Sequence, residues 1–386
     1  MGRPPLFTRA LALAFASNFL QGTAFNLFLN LPGYLDDLGA SKTEIGVLWG
    51  VTAAAAVLAR PSVGRWMDQR GRRPVFVVGG ALNVAVCALY LTITQIGPWV
   101  GAIRVLHGVS EAMLFSGLFT YAADRIPVAR RTEGIAVFGI SGLLPVSVGA
   151  ALGEWVEGRY GYDALFVVGA LLAAGSLLLS LPLREARRGH AEGDEASRGF
   201  VAALGQSDLR PLWMATGLFA TALAAPFTFM KSFVAETGFG SMAVFFNAYS
   251  IAGVGLRLLF AGLPDRIGPK RALFPAMATL GGGFALLTLA SSSAHVLAAG
   301  VLCGLGHGLT FPILMGLVVS RAREADRGVA MSIFTALFDL GMLVGGPAFG
   351  ALIDVRGFAP AFGAGGLLLA GGGLAFAAWD RGNPAS

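Results

Sequence analysis

Apolar residues run in stretches of about 20 along nearly the whole chain, separated by short polar or charged turns. The runs lie near 8–31, 44–64, 74–95, 98–121, 134–156, 162–183, 210–233, 243–262, 272–292, 295–319, 329–353 and 358–379. Each is long enough for a helix rising about 1.5 Å per residue to cross the hydrocarbon core of a bilayer. The pattern predicts an all-α integral membrane protein of twelve transmembrane helices, with both termini on one side because the count is even. One gap is longer than the rest. After Leu183 come Arg184, Glu185, Arg187, Arg188, His190, Glu192, Asp194, Glu195 and Arg198, with almost no apolar periodicity before Phe200. This predicts a polar linker over 185–208, closed by a short surface helix, between six-helix bundles at 1–184 and 209–386.

The two predicted bundles repeat each other. Gly64-Arg65-Trp66-Met67-Asp68-Gln69-Arg70-Gly71-Arg72-Arg73 joins spans two and three. Ala261-Gly262-Leu263-Pro264-Asp265-Arg266-Ile267-Gly268-Pro269-Lys270-Arg271 joins spans eight and nine. Their aspartates are 197 residues apart, and Arg60 and Arg257 each stand eight residues before one of them. Tyr160-Gly161-Tyr162-Asp163-Ala164-Leu165-Phe166 matches Arg356-Gly357-Phe358-Ala359-Pro360-Ala361-Phe362 at an offset of 196, and Gly149 and Gly153 match Gly346 and Gly350 at 197. Duplicated six-helix halves are a mark of secondary transporters, whose substrate site lies between the repeats near the bilayer midplane.

Composition agrees with a bilayer as solvent. Of 386 residues 55% are hydrophobic and 13% charged, against about 25% charged in soluble domains. The net charge of +6 is confined to turns and so speaks for topology, not nucleic-acid binding. Of the 28 Lys and Arg, Lys42, Arg159, Lys231 and Arg356 lie beside odd-numbered loops and Arg104 lies inside a span. The other 23 sit at the termini, in even-numbered loops or at adjoining helix ends. The positive-inside rule places that set, with both termini, in the cytoplasm. The opening run lacks a small-residue cleavage site and is expected to stay as the first helix, not to act as a signal peptide. Cys87 and Cys303 fall within apolar runs and are expected to be small packing residues.

With these motifs in place, the chain resembles the major facilitator superfamily along essentially its whole length, and within it the bacterial drug/sugar efflux, or proton antiporter, branch. The family's loop 2–3 signature is matched by Gly64, Asp68, Arg70, Gly71, Arg72 and Arg73, with Gln69 at a usually basic position. The second copy keeps Asp265, Arg266, Gly268, Lys270 and Arg271 but has Ala261 for the first glycine. The resemblance implies gating roles for both turns and their preceding arginines, Arg60 and Arg257; the alternative is a purely topological role. Asp could cap a neighbouring helix N-terminus there. Arg104-Val105-Leu106-His107-Gly108 is similar to the family's Arg-x-x-Gln-Gly signature, with His for Gln. In span five, Gly142, Pro145, Gly149 and Gly153 partly match the antiporter signature, from which Leu144 and Val148 depart. Close helix packing and a proline kink would explain these residues equally well.

Ionisable groups inside spans are costly and face a cavity or a partner. Arg104, His107 and Glu111 are spaced i, i+3, i+7 and share one helical face. Glu111 is either a proton carrier or one end of a structural ion pair with Arg104, flanked by His107. Asp339 is the second candidate proton or cation site, and the family resemblance implies His307 on the adjacent helix as its partner, with His307 alternatively a satisfied interior histidine. Span one supplies Asn18, Gln21, Asn26 and Asn30. The resemblance implies a cavity lined by spans one, four, seven and ten, which adds Phe115, Phe227, Phe229, Thr310 and Phe311; Lys231 is expected to snorkel to the headgroups, the alternative being attraction of an anionic substrate.

No Walker phosphate loop and no metal-binding His or Cys spacing occurs, so neither ATP, a metal nor another cofactor is expected. No nucleophile–base pair marks an enzyme. The expected activity is secondary transport of a small organic molecule by alternating access, as proton-coupled efflux. Proton-linked uptake of a sugar or organic acid is the alternative, and a non-transporting receptor or scaffold ranks last. Expected partners are the small-molecule substrate, protons and membrane lipid, with no nucleic acid, and the protein is expected to be a monomer in the bacterial plasma membrane.

Overall fold

The computed structural model describes residues 8–127, 131–185, 200–260, 267–323 and 326–383. Every regular element among them is helical. In order these are α1 (Arg9–Leu27), α2 (Leu31–Asp37), α3 (Lys42–Arg70), α4 (Arg72–Leu89), α5 (Pro98–Arg125), α6 (Arg131–Ser180), α7 (Phe200–Gly205), α8 (Arg210–Thr237), α9 (Met242–Phe260), α10 (Pro269–Thr288), α11 (Ser293–Arg321), α12 (Arg327–Arg356) and α13 (Phe358–Trp379).

Local chemistry explains where these helices begin and turn. Thr8 caps α1 by accepting from the Leu11 amide at 3.2 Å. Ser41 and Glu44 form a reciprocal capping box at the start of α3, with 2.8 and 3.2 Å backbone contacts. Several helices overrun their apolar spans at one end, where Arg70, Arg125, Arg321 and Arg356 stand in the last turns of α3, α5, α11 and α12. A cation at a helix C-terminus is favoured by the helix dipole, so the helix continues past the point where hydropathy falls. Gly161, at φ 81° and ψ 179°, breaks α6 into two arms that serve spans five and six.

Among the described residues nine helical stretches are long and apolar enough to cross a membrane, one of them the 44-residue Val137–Ser180 that holds two spans. The remaining two of the twelve are α1, diluted by Asn18, Gln21 and Asn26, and α10, which opens on Lys270 and Arg271. Large apolar side chains such as Leu58, Leu171, Leu258 and Leu367 are mostly exposed along the helices. In a membrane protein these meet lipid, which is as apolar as they are.

The chain groups into two compact units, Met1–Ala40 with Val51–Gly189, and Ser41–Gly50 with His190–Ser386. In the first unit α1 packs chiefly on α6, and α4 on α5 and α6. In the second, α8 packs on α12 and α13, α10 on α11 and α13, and α9 on α11. The first turns of α3 belong to the second unit, where Gly46 meets the backbone of Gly346 so closely that a Cβ on either has no room. Absence of a side chain is what allows two membrane helices to approach this far.

The duplication seen in the letters of the chain recurs in its backbone. Gly71 (φ 94°) and Gly268 (φ 90°) precede the third and ninth spans, and Gly161 (φ 81°) and Gly357 (φ 80°) precede the sixth and twelfth. Side chains avoid this left-handed region, so the four glycines fix the same turns twice.

Candidate functional site

In the first unit a polar cluster lies between α1, α5 and the end of α4. Gln21 on α1 donates its amide to the Glu111 carboxylate on α5. Gln21 is 3% exposed and Glu111 half-buried, so the carboxylate reaches the cluster from a face that is not sealed. Arg104 and His107, on the same face of α5, are 2% and 0% exposed. Tyr90, in the last turn after α4, joins them: its hydroxyl lies 3.2 Å from Arg104 Nη1 and 3.0 Å from His107 Nδ1. Arginine can only donate, so the tyrosine proton is directed to His107 Nδ1 and the ring proton resides on Nε2. That nitrogen has no hydrogen-bond partner among the described residues, and the ring stands edge-on to Phe25 and Phe28 at 5.6 and 4.8 Å.

The other amides of span one donate within the protein, while the Asn30 Oδ1, like the Gln21 Oε1, is buried without a hydrogen-bond partner among the described residues. Asn18 donates to Ser141 Oγ at 2.8 Å, Asn26 to Gly22 O at 2.8 Å, and the wholly buried Asn30 to Leu27 O at 3.0 Å. Gly149 and Gly153 on α6 lie directly against Asn26 and Asn30, and Pro145 touches the position a Cβ would take on Gly22. The span-five motif is thus the seam along which α6 packs on α1, while Gly142 faces open space. Phe115 is 43% exposed and stacks on Phe119 at 5.9 Å.

The second unit carries a counterpart. His307 on α11 stands 200 residues after His107, and its Nδ1 is bonded to the hydroxyl of Tyr249 on α9. Arg257, on the same helix as Tyr249, donates to Gly308 O at 3.1 Å. Phe219 on α8 and Phe311 on α11 flank the imidazole at 5.2 and 5.9 Å. Phe227 is half-buried against Phe246 and Tyr249, Phe229 and Thr310 are wholly buried, and Asp339 on α12 is half-buried beside Phe338. Lys231 is half-buried near the end of α8. Tyr90 and Tyr249 are absent from the sequence expectations. A tyrosine in an apolar span carries no periodic signal of the histidine it will meet, and the two come from non-equivalent helices.

The charged turns are anchored from the far end of each unit. Glu185, just past α6, accepts from the Arg72 and Arg73 amides at 2.9 Å each, capping α4. Arg72 also bridges Asp124 at 3.0 Å, and Arg73 donates to Leu181 O at 3.0 Å. In the second unit Asp380, just past α13, holds Arg321 by two contacts of 2.7 and 2.8 Å and Lys270 at 3.1 Å. Arg60 and Gly64 are half-buried, Arg70 and Arg271 exposed. Asp265, Arg266 and the side chain of Asp68 lie outside the described residues.

At the opposite end of the helices, Asp354 on α12 receives the Lys42 and Thr43 amides at 2.9 and 2.8 Å and the Thr43 hydroxyl at 2.6 Å. It adds a second cap to α3 beside Gly46 and Gly346.

Comparison with known proteins agrees with this architecture. The family profile described as Major Facilitator Superfamily matches residues 11–297 and 256–386. A relative in Pseudomonas aeruginosa (strain LESB58), named an uncharacterized MFS-type transporter, is 28% identical over 342 residues, 86% of this chain and 83% of the relative. A Burkholderia mallei (strain SAVP1) protein of the same description is 25% identical over 340 residues, 86% of this chain and 82% of the relative. Among solved structures, the nucleoside transporter NupG superposes with a TM-score of 0.73 at 15% identity, covering 96% of this chain and 99% of that one. The human organic anion transporter MFSD10 gives 0.74 at 19%, covering 97% and 100%.

Proposed function

Since the chain belongs to the Major Facilitator Superfamily, and is therefore a multi-pass membrane transporter and not an enzyme, we propose that it exports a small organic molecule across the bacterial plasma membrane in exchange for protons. One observation carries this reading: a half-buried carboxylate, Glu111, in the middle of α5 with the buried amide of Gln21 donated to it. An intramembrane acid is expensive to keep and marks a functional site by default. Arg104, held by Tyr90, sets the local field without leaving its own place. Asp339 and His307 are the second proton site in this reading. The charged turns and Asp354 act as the gate elements, with the turns on the cytoplasmic side.

The alternative, proton-linked uptake of a sugar or organic acid, draws on the departures from the antiporter signature at Leu144 and Val148 and on the amides of span one. Asn18, Gln21, Asn26 and Asn30 each donate within the protein, so that support is weaker than the side chains alone imply.

The test uses inside-out vesicles with an acidified lumen and a pH-sensitive dye. Addition of a transported compound should release lumenal protons, and Glu111→Gln should abolish that release while leaving compound binding intact. Compound-driven proton entry into the lumen would assign symport instead. Full coupled release by the Glu111→Gln protein would remove Glu111 from the mechanism.

A further inference from the structure

In the second unit four aromatic rings close on one another. His307 and Phe311 are 5.9 Å apart, Phe311 and Phe338 5.8 Å, Phe338 and Phe219 5.9 Å, and Phe219 and His307 5.2 Å. The rings come from three helices, α8, α11 and α12. Sides this short leave no gap wide enough for a further ring within the cycle, so a guest could stack only on its edge. That edge exists: Phe219 is fully buried, whereas His307, Phe311 and Phe338 are half-buried. It does not face lipid. Leu340 and Val344 on α12 are 46% and 53% exposed and suit lipid, while the cycle's edge carries an imidazole, which hydrocarbon would penalise heavily.

The imidazole is aimed and its chemistry is set. Tyr249 occupies Nδ1. A phenol is a far stronger acid than a neutral imidazole N–H, so the tyrosine donates and the ring proton stays on Nε2. The open edge therefore offers a phenyl face at Phe311, a second ring at Phe338 set at 82° to it, and one N–H donor.

We propose that this edge is a binding site for a planar aromatic or heteroaromatic cargo bearing a hydrogen-bond acceptor, stacked on Phe311, meeting Phe338 in a T-shaped contact and bonded to His307 Nε2. The assignment deepens the transport reading, on which it rests for the idea that this face meets cargo.

The experiment is calorimetric titration of the full-length protein in lipid nanodiscs, without a proton gradient and with empty nanodiscs subtracted. Three probes separate the contributions: coumarin, which is planar with a lactone acceptor; octahydrocoumarin, which keeps the lactone but is not planar; and naphthalene, which is planar without an acceptor. Coumarin should bind saturably and at least about 5-fold more tightly than either of the others. Phe311→Leu should weaken coumarin by about 10-fold, and His307→Phe should bring it to the level of naphthalene. Leu171→Ala, on the lipid side of the first unit, should change neither, and thermal melting confirms that each variant is folded. Equal binding of coumarin and octahydrocoumarin, unchanged coumarin affinity in folded Phe311→Leu and His307→Phe, or no saturable binding at all would overturn the site. Coumarin binding without coupled flux would refute the proton-exchange reading and leave this one standing. Coupled flux of saturated compounds with no aromatic preference would do the reverse.

Discussion

Replacing Asp380 by asparagine should be the most destabilising single change at the charged end of the second unit. Its carboxylate is 0% exposed, as is the Arg321 side chain it holds through two contacts of 2.7 and 2.8 Å. Lys270 adds a third contact at 3.1 Å and Asn383 a fourth at 2.8 Å. The substituted amide would keep the shape but remove the negative charge, leaving a buried guanidinium and a half-buried ammonium facing each other. Breaking one partner of a buried pair costs about 3–5 kcal/mol. The cluster lies at helix ends, so the lower figure, about 3 kcal/mol, is expected. Glu185 in the first unit does the equivalent work from an exposed position, capping two amides, and Glu185→Gln should cost only about 1 kcal/mol. Unfolding both variants with sodium dodecyl sulfate in mixed micelles reads the two costs on one scale. Replacing Arg321 and Asp380 together by methionine and leucine should recover most of the loss, because a buried pair and an apolar pair of similar volume are nearly equal. Equal costs at Asp380 and Glu185, or a double variant worse than Asp380→Asn, would refute the assignment of the penalty to an uncompensated buried charge.

Gly46→Val should push α3 away from α12, since the added side chain meets the Gly346 carbonyl; maleimide labelling of a cysteine introduced in place of Leu343 should rise several-fold, and unchanged labelling would refute this. Tyr90→Phe should cost more stability than Tyr249→Phe, about 2 against 1 kcal/mol, because only Tyr90 also accepts from Arg104. The same micellar titration checks it. Glu111→Gln should leave the fold within about 1 kcal/mol of the parent, since the new amide oxygen still accepts from Gln21. A larger loss would make the carboxylate a structural group.

Legibility from sequence followed the range of the physics involved. Apolar runs and positive-φ glycines act locally, so the spans and the repeated turns at Gly71 and Gly268, or Gly161 and Gly357, were readable from spacing alone. Helix ends were less so: Arg70, Arg125, Arg321 and Arg356 extend helices that hydropathy alone would stop. The long-range polar partners were not readable. Glu185 reads as the first residue of a linker, yet it caps a helix 113 residues back. Asp380 reads as a tail residue, yet it anchors α11 and α10. The amides of span one read as an inviting cavity wall because residue type is visible and hydrogen-bond partners are not. His107 and His307 were legible as costly intramembrane groups, but the tyrosines that fix their tautomers come from other helices.

The placement of Glu185 bears on how the chain is made. It lies near the C-terminal end of the first unit, and it ties back to the start of α4. A nascent chain arrested beyond it can complete that unit's charged end by itself, in keeping with domains folding in the order of synthesis. The first turns of α3 are in a different position. Their cap, Asp354, and their neighbour, Gly346, are translated some 300 residues later. During insertion that segment must wait, capped only by its own Ser41 and Glu44. The capping box thus has a temporal role: it holds the helix end ready until the rest of its packing surface exists.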